Sequence, residues 1–349
     1  MTKVKFEDVA TRVNTREDRL NTSLLYYVGG EHIESNEMLV QGCGLIKGST
    51  IGPMFYCGFK KGDILLVSRN PHLRKASMVE FDGICSEKTF VLGTKDSKVL
   101  LQEFLALVMQ SDDFWNYCEE HKSGGVNYFL NWSTLAKYEF YLPSIQEQKE
   151  IADKVWSAYR LKESYKKLLV ATDEMVKSQF IEMFGGLCQG TPWSDVVTIT
   201  NGKAYPEEYQ EEGAYPICGS GGIMCYGEKK LCNGNTTILG RKGNINNPIF
   251  MESGYWIVDT AFSIDVDKAK LHPKFFYYWC CQYDFTKLNK QGVLPSLTRK
   301  DLEKVKMAIP QMRDQLKFVS IAEQADKSKF ELKQCIENID KVIKSLING

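Results

Sequence analysis

The chain of 349 residues contains itself twice, and this limits its fold more than any other feature of the sequence. Leu142-Pro143-Ser144-Ile145-Gln146-Glu147-Gln148 returns as Ile309-Pro310-Gln311-Met312-Arg313-Asp314-Gln315, at an offset of 167. That offset holds without a gap from Gly125/Gly292 to Phe180/Ile347. Over those 56 positions 13 are identical, among them Gly125/Gly292, Val126/Val293, Leu135/Leu302, Gln148/Gln315, Lys162/Lys329 and Asp173/Asp340. The openings of the two halves match at a different offset, 187, where Phe6-Glu7-Asp8-Val9-Ala10-Thr11 aligns with Trp193-Ser194-Asp195-Val196-Val197-Thr198. The offsets differ by 20, so the first copy carries net extra length before Gly125. Each copy reads as a variable body followed by a common tail.

The tails read as long helices. The first has a seam at Ile151, Val155, Ala158, Lys162, Tyr165, Leu169, Thr172, Val176, Gln179 and Met183. The second has Phe318, Ala322, Ala325, Lys329, Leu332, Ile336, Ile339, Ile343 and Leu346. A mainly apolar position every 3.5 residues is the coiled-coil pattern, and the simplest partner for each helix is the other. Lys162 and Lys329 interrupt the seam at equivalent points. Two readings stand: a polar pair that sets register, or lysines that snorkel to water along the seam edge. Gly185-Gly186 gives the first helix a C-terminal stop, and from Ile151 to Phe184 it would reach on the order of 50 Å.

The bodies read as mixed. Strand candidates are Ile64 to Val67, Ser77 to Phe81, Thr89 to Leu92, Thr236 to Leu239 and Tyr255 to Val258. Helix candidates are Gln102 to Glu119 and Pro273 to Tyr283. Gly62-Asp63-Ile64-Leu65 and Gly234-Asn235-Thr236-Thr237 align ahead of a strand in each body, followed by Arg69 and Arg241. The expected fold is α+β with a pseudo-two-fold repeat. Two mixed bodies, 1–143 and 186–310, are separated by two long helices, 144–185 and 311–349, that pair as an antiparallel coiled coil.

Motifs for chemistry are missing. No Gly-x-x-x-x-Gly-Lys-Ser/Thr loop is present, and Gly219-Ser220-Gly221-Gly222 reads as a turn. Asn247-Pro248-Ile249-Phe250 and Asn70-Pro71-His72-Leu73 lack the second proline of a DNA amino-methyltransferase loop, and no cofactor loop accompanies them. The four histidines form no metal-type pair. Cys218, Cys225 and Cys232 recur every seven residues without a Cys-x-x-Cys knuckle, so they read as small buried hydrophobes. The expectation is a recognition protein with no catalytic residue, no metal and no cofactor. An odd count of eleven cysteines and no charged-then-apolar opening segment point to reduced thiols and the cytoplasm. The apolar runs are strand-sized, far short of the ~20 residues of a membrane helix.

The repeated order of aromatic-x-Asp-Val, Gly-Val, Leu/Ile-Pro and a Gln opening a long helix resembles the specificity subunit of type I DNA restriction-modification systems (HsdS). The Gly62-Asp63-Ile64-Leu65-Leu66-Val67-Ser68-Arg69 segment and the run from Leu142 to Ala152 carry the resemblance most closely. It implies that the bodies are target recognition domains, each reading one half of a split site on double-stranded DNA. The helices would act as a ruler. It also implies docked methyltransferase subunits, joined by restriction-translocase subunits for cleavage, which hold the chemistry and the methyl donor. A two-domain adaptor for protein ligands, and the DNA-recognition subunit of another methylation system, are the competing readings.

Charge qualifies the DNA reading. Lys plus Arg equals Asp plus Glu at 44 each, whereas a nucleic-acid binder working alone is usually basic. By segment the basic and acidic counts are 16 and 18 over 1–143, 7 and 7 over 144–185, 14 and 13 over 186–310, and 7 and 6 over 311–349. A DNA face must be a local patch, with partners neutralising most phosphates. Candidates in the first body are Arg69, His72, Arg74, Lys75, Lys122, Asn127 and Tyr128. In the second they are Lys203, Arg241, Lys242, Asn244, Asn246, Asn247, Arg299 and Lys300. Arg with guanine and Asn with adenine are the pairings the major groove favours, and phosphate positioning is the plainer role for any one of them.

Overall fold

The computed structural model describes residues 2–187, 190–288 and 296–349. Gly292 and Val293, the repeat partners of Gly125 and Val126, lie outside the described residues. The chain forms two compact units, Met1–Lys166 with Lys333–Gly349, and Lys167–Leu332.

In chain order the first unit carries β1 (Thr2–Lys5), α1 (Phe6–Val9), β2 (Ala10–Arg12), β3 (Thr15–Arg16), β4 (Tyr26–Val28), β5 (Gly44–Leu45), β6 (Phe55–Phe59), β7 (Ile64–Val67), β8 (Ala76–Met78), β9 (Gly83–Ser86) and β10 (Thr89–Thr94). There follow α2 (Gln102–Val108), α3 (Asp112–Glu120), α4 (Trp132–Leu135), β11 (Glu139–Leu142) and the start of α5 (Ile145–Phe184). One sheet runs β2-β10-β7-β8, a second runs β3-β6-β9-β4-β5, and β1 pairs antiparallel with β11. The expected helix from Gln102 to Glu119 is two helices. Ser111 breaks it: its Oγ accepts from Phe114 N–H at 3.2 Å and donates to the Val108 carbonyl at 2.7 Å, capping a fresh start.

The second unit carries the rest of α5, then β12 (Thr191–Pro192), β13 (Val197–Asn201), β14 (Tyr215–Gly219), β15 (Gly222–Gly227), β16 (Thr236–Gly240), β17 (Ile249–Met251), β18 (Trp256–Ile257), β19 (Ala261–Val266), α6 (Pro273–Gln282), α7 (Arg299–Glu303), β20 (Lys306–Met307) and the start of α8 (Met312–Asn348). Its main sheet runs β13-β19-β16-β17, the same order as β2-β10-β7-β8, and β12 pairs with β20 as β1 does with β11. The companion sheet has three strands, β15-β14-β18, where the first unit has five. Most of the extra length of the first copy therefore lies between β2 and β7. Gly219 to Gly222 is the hairpin turn joining β14 to β15.

Strand register corrects the alignment by glycine. Arg12 faces Leu92, which faces Ile64; Ile199, the match of Arg12 at offset 187, faces Ile264, which faces Thr237. Ile64 thus corresponds to Thr237, and Gly62 to Asn235 rather than Gly234. Both residues are left-handed, Gly62 at φ 94° and Asn235 at φ 57°. Asn tolerates that conformation nearly as glycine does, so the backbone is kept while the letter changes.

The two long helices join their bodies through matched glutamines. Gln148 is fully buried; its Oε1 accepts from Leu101 N–H at 3.0 Å, and its Nε2 donates to the carbonyls of Val99 (2.9 Å) and Pro143 (3.0 Å). Gln315 is also fully buried and makes the same set, from His272 N–H at 2.8 Å and to Lys270 (3.0 Å) and Pro310 (2.8 Å). One amide side chain thereby satisfies the backbone where α2 or α6 begins.

Within each unit an α5 segment packs antiparallel on an α8 segment. In the first, Lys162 pairs with Asp340, and Ile151 lies near Ile347. In the second, Asp173 pairs with Lys329 while Phe180 and Phe184 meet Phe318. The seam residues Val155, Val176, Phe318 and Ile343 are buried, and Ile151, Tyr165, Leu169, Leu332, Ile336 and Ile339 are half-buried. The far end departs from the strict 3.5 spacing. Leu346 is exposed, and Phe180 and Ile347, equivalent at offset 167, take the positions expected for Gln179 and Leu346. A helix of 3.6 residues per turn drifts by about 20° per heptad, close to one residue over the four heptads from Phe318.

Candidate nucleic-acid interface

The first site forms where β7 ends. Ser68 donates both its N–H (2.8 Å) and its Oγ (2.7 Å) to the Lys88 carbonyl, and its own carbonyl accepts from Leu130 N–H at 2.8 Å. Arg69 pairs with Phe129 in an isolated antiparallel bridge, and Asn70 N–H bonds the Tyr128 carbonyl at 2.9 Å. Ser123 and Phe129 exchange two backbone bonds of 2.9 Å, closing a loop that carries Gly124, Gly125, Val126, Asn127 and Tyr128. Gly124, at φ 99°, turns this loop, and an added Cβ would meet the Asn127 carbonyl at 2.6 Å. The structure therefore brings Arg69 to Lys122, Asn127 and Tyr128, which lie more than fifty residues further along the chain. Lys122 Nζ lies 4.2 Å from the centre of the Tyr128 ring and 2.7 Å from Glu119.

The neighbouring cations differ. His72 is exposed on the tight turn Pro71–Leu73, which is flanked by Asn70 and Arg74, both left-handed. Arg74 is held by Asp112 at 2.6 Å, and Lys75 donates to the Gly30 carbonyl at 2.7 Å. Both are committed to protein contacts and are not grouped with Arg69.

The second site repeats the construction. Arg241 N–H bonds the Thr260 carbonyl at 2.8 Å, its carbonyl accepts from Leu297 N–H at 2.9 Å, and Lys242 bridges Ser296. Leu297 and Ser296 match Leu130 and Phe129 at offset 167. The residue in the place of Ser68 is thus Arg241, and the residue in the place of Arg69 is Lys242. Arg241, Lys242 and Asn244 are exposed on a loop turned by Gly243 (φ 76°) and anchored by buried Ile245. Asn246 is spoken for: its Nδ2 donates to Asp284 (3.0 Å) and its Oδ1 accepts from Phe285 N–H (2.7 Å). Asn247 is exposed. Arg299 and Lys300 are exposed on α7, three and four residues beyond Ser296, with Arg299 paired to Glu303 at 2.7 Å. Lys203 is exposed and stands apart, bonded through its backbone to Ile257 and Trp256.

One cation escaped the sequence reading. The Arg12 guanidinium stacks 4.7 Å from the centre of Phe90, and that of Arg241 lies 6.0 Å from Phe262, the register equivalent of Phe90. The same ring has an arginine near it in both units, supplied by the end of β2 in the first and by the residue just after β16 in the second. Position 12 aligns with Ile199, so the repeat itself gave no signal. Among the described residues no group of three or more His, Cys, Asp or Glu is placed to hold a metal ion, and no helix is long and apolar enough to cross a membrane.

The family described as type I restriction modification DNA specificity domain matches residues 25–169 and 192–341. Among solved structures, the chain is similar to the type-I restriction-modification system S subunit from M. genitalium, with 16% identity, a TM-score of 0.66, and coverage of 99% of this chain and 95% of that one. It is also similar to a chain from a structure described as the structural basis of complex assembly and conformational transition of the type I R-M system, with 17% identity, a TM-score of 0.60 and coverage of 99% and 96%. At these identities the likeness is one of fold. No curated protein matches the sequence.

Proposed function

The chain belongs to the type I restriction modification DNA specificity family, and from that premise we propose that each body is a target recognition domain reading one half of a split DNA site. The observation that carries this reading is the repeated placement of an exposed cation, Arg69 or Lys242, at one register position beside the returning segment at Phe129 or Ser296. In the first domain the face comprises Arg69, Lys122, Asn127, Tyr128 and His72, with Arg12 added. In the second it comprises Arg241, Lys242, Asn244, Asn247, Arg299 and Lys300, with Lys203 at its margin. Arg74, Lys75 and Asn246 shape these faces rather than touch DNA.

The domains are 1–143 and 186–310, and the segments 144–185 and 311–349 are spacers. Helix α5 has 40 residues, on the order of 60 Å at 1.5 Å per residue, against ~34 Å per turn of duplex. The chain is a non-catalytic, cytoplasmic subunit that docks methyltransferase and restriction-translocase subunits. Its balanced charge leaves much of the phosphate neutralisation to them.

The test is methylation mapping in a host that expresses the chain with its methyltransferase subunit. A single bipartite motif is expected. Arg69→Ala should relax or weaken one half of the motif, and Arg241→Ala or Lys242→Ala the other, with assembly intact. A contiguous motif, or wild-type methylation in all three variants, would overturn the assignment.

A further inference from the structure

Cys57 on β6 and Cys85 on β9 are direct partners in an antiparallel strand pair. A bulge between Phe55 and Cys57 sets that register, leaving Tyr56 as the extra residue where a regular ladder would have put it opposite Cys85. Opposed residues of antiparallel strands have Cα atoms ~4.5–5.5 Å apart, inside the ~4.4–6.8 Å that a disulfide spans. Both side chains meet in one apolar cluster, Cys85 within it and Cys57 packed against it, close enough to shift each other's acidity.

Their surroundings are unequal. Cys57 is half-buried and open to solvent, whereas Cys85 is buried. The neighbouring Cys85 thiol, aided by the positive charge of Arg12 and Arg16 and opposed by burial and Glu87, holds the Cys57 thiol down at about 7. The Cys57 thiol beside it and burial push Cys85 up. Cys118 and Cys218, by contrast, are pushed up to about 12 by burial. Of the two, solvent-accessible Cys57 is the thiol that ionises more readily, and buried Cys85 is the one that keeps its proton.

We propose that Cys57 and Cys85 form a dithiol site that hydroperoxides oxidise to a cross-strand disulfide. The Cys57 thiolate attacks a peroxide oxygen, the O–O bond breaks and hydroxide leaves. The sulfur becomes a sulfenic acid, oxidised by two electrons as the peroxide is reduced. The Cys85 sulfur then attacks the Cys57 sulfur and the S–O bond breaks. The Cys85 proton leaves with that hydroxyl as water. In sum, two thiols and one hydrogen peroxide give one disulfide and two waters, and a dithiol reductant reverses the change. Cys85 stands three residues before Lys88, whose carbonyl holds Ser68 beside Arg69.

The experiment treats the full-length chain with hydrogen peroxide, alkylates the remaining thiols and digests with trypsin. Cys57 and Cys85 fall in separate peptides, Gly48–Lys60 and Ala76–Lys88. The expected product joins them, lacks two hydrogens and is split by dithiothreitol. Recovery of both peptides as alkylated thiols, or as separate sulfonic acids, while exposed Cys43 is oxidised would overturn the proposal. In a Cys85→Ser variant the sulfenic acid should persist, and dimedone should label Cys57 about ten-fold faster than Cys43, because the thiolate is the reacting form. Equal labelling would also overturn it.

Discussion

Lys162 on α5 reaches Asp340 on α8 at 2.8 Å, and the residues equivalent to them at offset 167, Lys329 and Asp173, form the same pair at 2.8 Å. The two lysines that interrupt the apolar seam are therefore not snorkelling. Each answers an aspartate of the other helix. A shift of one helix by a single residue would part both pairs together, which makes them a register device.

The first prediction follows from this pairing. Asp340→Lys and Lys162→Asp should each lower stability, and the double exchange should recover part of the loss. Asp340 is half exposed, so the coupling should be about 0.5–2 kcal/mol. Urea unfolding of the four proteins in the cycle measures it, and zero coupling would remove the register role. Leu169→Asp and Leu332→Asp, which put a carboxylate into the seam of the second unit, should cost more than either single charge change.

Glu37 gives a pH dependence. Its carboxylate is largely buried, which opposes ionisation. Hydrogen bonds from Lys166 and Tyr159 and the charge of Lys162 outweigh that, so its pKa lies below the ordinary glutamate range. A carboxylate with a depressed folded pKa contributes stability above its unfolded value of about 4.3, and that contribution is lost as pH falls through the folded value. The gap in Tm between the wild type and Glu37→Gln should be constant above about pH 5.5 and shrink in more acid solution. A constant gap down to pH 3 would refute the ionised role.

Gln148→Leu should destabilise the first unit and Gln315→Leu the second. Each change leaves the amide N–H of Leu101 or His272 and two carbonyls without their partner. An unpaired buried backbone group costs about 1–3 kcal/mol. Hydrogen exchange at the start of α2 or α6 should report the loss locally, and unchanged protection there would show that the amide is dispensable.

Gly240→Ala tests the loop that displays Arg241 and Lys242. A Cβ at this position would collide with the Asn244 carbonyl and approach Ser220 at 3.2 Å. The loop must move. Recognition of the half-site read by the second domain should weaken, with the first half-site and the Tm of the first unit unchanged. Equal methylation of both halves would mean that the loop lies away from DNA.

The repeat was legible because the helices and their anchoring glutamines keep their letters. The bodies were legible only as strands. Gly62 and Gly234 look like one another but stand one residue apart in register, since Asn235 adopts the left-handed turn that Gly62 makes. Arg69 aligns by letter with Arg241 for the same reason, although Lys242 is its counterpart in register. Arg12 was missed because its role is set by which ring it covers, and that depends on strand neighbours 78 positions away. The seam was read with the period of a supercoil. Its far end follows the straighter helix that Phe180 and Ile347 mark.

Thr2 faces Leu142 across β1 and β11, and Thr191 faces Met307 across β12 and β20. The chain therefore enters and leaves each body side by side. Genetic material coding for everything between those points can be replaced by a longer or shorter stretch, and both ends still land in the same place. Inheritance can treat each body as a cassette. On the reading proposed above, exchanging one body would exchange one half of the recognised site while the strand pair that closes it stays in place.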